Sequence, residues 1–88
     1  MFIYRVTNYH TGEVYETRCE DQSTACRYAY AWAMRNLREL THSRDLVPEG
    51  CVLHDLPKRK RQYLARKYLR FGRVDVESNM MLYSLPLV

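Results

Sequence analysis

Two short stretches near the start of the chain, Phe2 to Thr7 and Val14 to Cys19, are rich in aromatic, β-branched and threonine residues, and Thr11-Gly12 lies in the polar segment between them. Such residues suit a pleated, half-buried surface, so the pattern predicts a β-hairpin. Beyond it the period changes. At about 100° per residue, Ala25, Cys26, Ala29, Ala33, Leu37 and Leu40 share one face of a helix that starts at a Ser23 or Asp21 cap and runs to about Leu40. Tyr30 and Trp32 flank that stripe, while Arg27, Ala31 and Arg38 point away from it. Small residues in the middle of the stripe allow close approach, which predicts that this helix lies across the hairpin.

The second half is less regular. Thr41 to Gly50 reads as a loop broken by Pro48 and Gly50, and Cys51-Val52-Leu53-His54 as a short strand. Asp55 is placed to cap a second helix over residues 56 to 71, since Pro57 is tolerated in a first turn and Gly72 is a natural stop after Phe71. Leu64, Ala65, Tyr68, Leu69 and Phe71 form the side of that helix able to pack on a core. The tail alternates Val74 and Val76 against Arg73, Asp75 and Glu77 before reaching Met80 to Val88, which predicts a closing hairpin or one bent strand, with Pro86 favouring an edge. The elements predict one α+β domain over residues 1 to 88, in the order ββα(β)αββ, with a mostly antiparallel sheet covered by two helices.

Composition confirms that the chain can fold and changes little else: 88 residues are 47% hydrophobic and 27% charged. That is one core's worth of material. No apolar run reaches membrane-spanning length and the start lacks a secretory apolar stretch, so a cytoplasmic protein with no membrane contact is expected. Cys19, Cys26 and Cys51 are an odd number at irregular spacing, the pattern of reduced thiols.

Charge alters the picture more. Eight of the fourteen basic residues fall between Lys58 and Arg73, with no acid among them, and the remainder of the chain sets six arginines against ten acids for a net −4. On a helix, Arg59, Tyr63, Arg66 and Arg70 recur at spacings of four, three and four, flanked by Lys60 and Lys67. A solvated helix face usually mixes signs at i,i+4; this one carries repulsion with no acid to offset it. Guanidinium forks bind phosphate oxygens in a bidentate way, and a tyrosine between them can stack on a base or bond a phosphate. The expected site is therefore Arg59, Lys60, Tyr63, Arg66, Lys67, Arg70 and Arg73, contacting nucleic acid, DNA or RNA, or an acidic protein surface. Tyr9, Tyr15, Tyr28, Tyr30, Tyr63 and Tyr83 are candidates for exposure, and exposed tyrosine beside arginine is typical of interface hot spots. The oligomeric state is open, a homodimer included.

Candidate chemistry adds little. Cys51 and His54 have the spacing of half a zinc site, with Cys19, Cys26, His10 and His42 as scattered further ligands, but a closed structural site shows two tight pairs. Cys51, His54 and Asp55 also contain the groups of a thiol nucleophile, its base and an orienting acid, yet three such groups within five residues of one strand seldom converge. The glycines at 12, 50 and 72 are isolated and form no phosphate-cradling loop. A protein that is not an enzyme, with no cofactor and no metal, is expected.

The opening also carries a resemblance. A strand ending Arg5-Val6-Thr7, a turn with Thr11-Gly12-Glu13, a second strand and Ser23-Thr24-Ala25 leading an alanine-spaced helix resemble the beginning of small phage-encoded proteins, some anti-CRISPR inhibitors among them. That resemblance implies a phage-type inhibitor or adaptor docked on a host protein or nucleoprotein surface. The basic second helix departs from the acidic, nucleic-acid-mimicking members of that group.

Overall fold

A computed structural model describes residues 1–43, 45–46 and 56–87. In chain order these form β1 (Phe2–Asn8), β2 (Val14–Cys19), α1 (Gln22–Thr41), α2 (Lys58–Tyr68), β3 (Leu69–Val74) and β4 (Met81–Ser84). The strands make one sheet in the order β2-β1-β3-β4, antiparallel at every junction, so the fold is α+β as the pattern predicted. The expected strand at Cys51 to His54 and the Asp55 cap lie outside the described residues.

The β1–β2 hairpin is fastened by Asn8. Its carboxamide oxygen accepts from the amides of His10 at 2.9 Å and Thr11 at 3.1 Å, and Gly12 takes the positive φ of 79° that closes the turn. Even-numbered residues of β1 face α1. Tyr4 and Val6 pack against Ala25, Ala29, Ala33, Leu37 and Leu40, with Leu69 and Phe71 of β3 in the same core. The small side chains bring the helix so close that the Thr17 hydroxyl of β2 donates to the carbonyl of Ala25 at 2.7 Å. Asp21, and not Ser23, caps α1: its carboxylate accepts from the Thr24 amide and hydroxyl, and these bonds lower its pKa.

The buried face of α1 also includes a polar residue that hydrophobic periodicity passes over. Asn36 accepts from Asn8 Nδ2 at 2.7 Å and donates to the Trp32 carbonyl at 3.0 Å, so both buried carboxamides are satisfied. Tyr15, expected to be exposed, is half-buried because its ring stacks on Trp32 with centroids 5.0 Å apart. Tyr9, Tyr28, Tyr30, Tyr63 and Tyr83 are exposed.

The second helix is shorter than its sequence pattern suggests. It stops at Tyr68, and Leu69 is already extended at φ −121° and ψ 138°. Residues 69 to 74 join the sheet instead, pairing along β1 from Asn8↔Leu69 to Ile3↔Val74. Gly72 is therefore not a helix stop. It lies within β3 opposite Ser84, where a Cβ would collide with the Tyr83 carbonyl oxygen and sit 2.9 Å from Met81 Sδ. The tail forms the predicted closing hairpin, with a register shift at Arg73/Val74.

Candidate nucleic-acid interface

Helix α2 packs through Leu64 and Ala65, both buried, and leaves its charges outside. Lys58, Arg59, Arg61, Arg66 and Lys67 are exposed, and Lys60 is half-buried. Arg59, Tyr63 and Arg66 keep the predicted stripe, spanning about 10 Å of helix axis at about 1.5 Å per residue. Arg70 leaves it. Its place is on β3 opposite Thr7, where Nε donates to Ser84 Oγ at 3.4 Å. Arg73 lies apart from this group: three residues further along the strand its side chain takes the opposite face of the sheet, half-buried, with its guanidinium 4.9 Å from the centroid of Phe2.

Tyr63 is the centre of the helical patch. Its ring has the Lys60 ammonium 5.3 Å from its centroid and that of Lys67 at 5.6 Å, and Lys67 lies 5.3 Å from the centre of the Tyr68 ring as well. The Tyr63 hydroxyl accepts from Lys67 Nζ at 3.4 Å, and this bond, with the electrostatic influence of the two phenols, raises the Lys67 pKa. The patch thus sets an aromatic ring that is 51% exposed among basic side chains.

Among the described residues, no carboxylate forms an ion pair with it. Among the described residues, the acids that form ion pairs do so elsewhere: Glu16 with Arg5 and Arg18, Glu39 with Arg35, and Glu20 with the N-terminal amine. No ion pair involves any basic side chain from Lys58 to Arg73. The first turn of α2 sharpens the imbalance, since Pro57 at the cap makes no side-chain hydrogen bond and Lys58, Arg59 and Lys60 crowd the positive pole of the helix.

Beside α2 a groove of about 360 Å³ runs between Arg66 on the helix, Arg70 on β3, and Ser84 to Pro86 of the tail. Ala65, Leu69, Phe71 and Leu87, all buried, form its apolar floor. Tyr9 completes the wall. It is brought there because β1–β3 pairing extends one step past Asn8, the Tyr9 amide donating to the Tyr68 carbonyl at 2.7 Å. Tyr9 was expected to be exposed, and at 59% it is, but nothing in its sequence neighbourhood links it to Arg66 or Arg70; that link exists only through the sheet.

Among the described residues, no group of three or more His, Cys, Asp or Glu side chains is placed to hold a metal ion, and no helix is long and apolar enough to cross a membrane. Cys51, His54 and Asp55 lie outside the described residues. Comparison with protein-family models, with curated proteins and with solved structures finds no match.

Proposed function

We propose that the protein is a non-enzymatic nucleic-acid-binding domain that grips backbone phosphates through Arg59, Lys60, Arg66 and Lys67 of α2 and Arg70 of β3, with Tyr63 as an aromatic contact. The observation that carries this reading is the unpaired state of the patch: among the described residues, the ion pairs involve Glu16, Glu20 and Glu39 with other cations, and none reaches these side chains. A polyanion supplies the missing charge, and arginine and lysine at successive helical turns match successive phosphates.

The test is the salt dependence of binding to a labelled duplex, followed by fluorescence anisotropy. With about five phosphate contacts, log K should fall against log salt with a slope near −4. Arg59→Glu with Arg66→Glu should abolish binding and leave the far-UV circular dichroism unchanged. Salt-insensitive binding overturns the proposal. So does one-to-one binding to a protein with no affinity for nucleic acid, the outcome a phage-type inhibitor of an acidic protein surface would give.

A further inference from the structure

A site for duplex phosphates alone needs only exposed cations. The groove beside α2 offers more: an exposed tyrosine and Pro86 on its walls, and two guanidinium groups along its rim. Thr7 lies opposite Arg70, and Tyr9 follows two residues on, so strand alternation sets the Tyr9 and Arg70 side chains on the same face of the sheet, while Leu69 and Phe71 flanking Arg70 turn toward α1 and close only the bottom of the groove. Ser84 Oγ takes the Nε of Arg70, leaving its two terminal nitrogens without a partner among the described residues, as are those of Arg66. Such a site combines an aromatic wall with an anion clamp at its edge. Its volume, about 360 Å³, falls at the small end of the range for small-molecule sites.

Building on the phosphate-binding reading, we infer that this groove receives one unpaired nucleotide of a single strand. The base lies against Tyr9 and Pro86 of the groove wall, and the adjoining phosphate is clamped by Arg66 and Arg70. The strand then continues along α2, where Tyr63 offers a second stacking surface between its lysines. A duplex keeps its bases paired and cannot fill the groove, so the inference requires preference for single strands. Deoxyribose and ribose strands share this chemistry, because nothing in the groove is committed to a 2′-hydroxyl.

The preference can be read by anisotropy at one low salt concentration with four labelled probes: a 20-mer of thymidylate, a 20-mer of uridylate, a 20-base-pair duplex, and an abasic 20-mer that retains the phosphates. Both single strands should bind at least about tenfold more tightly than the duplex or the abasic strand. Tyr9→Ala should weaken single-strand binding by about tenfold and leave duplex binding unchanged, while Tyr9→Phe, which keeps the ring, should bind like the parent. Equal affinity for all four probes would overturn the groove assignment and leave phosphate binding intact. No affinity for any probe would overturn both.

Discussion

Asn8 shows how much of this fold depends on one side chain. It is buried at the end of β1, and its carboxamide makes three bonds at once: its Oδ1 accepts from the His10 and Thr11 amides of the hairpin turn, and its Nδ2 donates to Asn36 Oδ1 on α1. Burying a polar group is costly unless its hydrogen bonds are made, and removing one partner leaves the others unsatisfied. Asn8→Ala strips the bond from Asn36 Oδ1 and from the His10 and Thr11 amides together. It should therefore lower the unfolding free energy by about 1–3 kcal/mol in urea titrations, with an unchanged m-value. A loss below about 0.5 kcal/mol, the usual size of an ordinary surface substitution, would show that water replaces the carboxamide and that the turn does not depend on it.

Elements differ in how far the sequence reveals them. The hairpin and α1 are legible because their signals are local: β-branched and aromatic runs around a glycine turn, then an alanine-spaced stripe whose residues are those that pack on the sheet. The end of α2 is not. Leu64, Tyr68 and Phe71, and Ala65 with Leu69, fit helical spacing, but Leu69 and Phe71 around Arg70 fit the two-residue period of a strand equally well. The choice falls to pairing with β1, six residue pairs that no local window contains. The cationic patch was legible for the opposite reason, since clustering of charge needs no tertiary contact to be visible. Its extension to Tyr9 was not, because that contact is made by distant strands.

The same element carries a liability that can be measured. With three cations in its first turn and no side-chain cap, α2 opposes its own dipole, so Lys58→Glu should stabilise the free protein by about 0.5–1 kcal/mol. That corresponds to a rise of about 2–8 °C in the thermal midpoint. Lys58 is off the Arg59-Tyr63-Arg66 stripe, so nucleic-acid affinity should fall less than for Arg59→Glu. A variant that melts no higher than the parent would show that packing of Leu64 and Ala65 alone determines the stability of this helix.

At the scale of the whole molecule, the sheet sets four of the acids apart from the basic helix. Glu20 and Asp21 follow β2, and Asp75 and Glu77 follow β3, at the end of the sheet where Phe2 lies; α2 sits at the other end, where Asn8 meets Leu69. Six residue steps of β1, about 20 Å, lie between the two ends, roughly twice the screening length at 0.1 M salt. The acids at the far end consequently do little to relieve repulsion within the basic patch; among the described residues at the other end, Glu39 is paired with Arg35, and Glu13 in the β1–β2 turn makes no ion pair. Added salt then has opposite effects on folding and on binding. Raising sodium chloride from about 0.05 to 0.5 M screens the repulsion within α2 and should raise the thermal midpoint of the free protein by a few degrees, while it weakens the complex with nucleic acid. Arg59→Glu with Arg66→Glu provides the control: the double variant should melt higher than the parent at low salt and show a smaller salt-induced rise. Equal rises in both proteins, followed by differential scanning calorimetry, would mean that the patch is not under electrostatic strain in the free molecule, and the main physical reason for expecting an anionic partner would be lost.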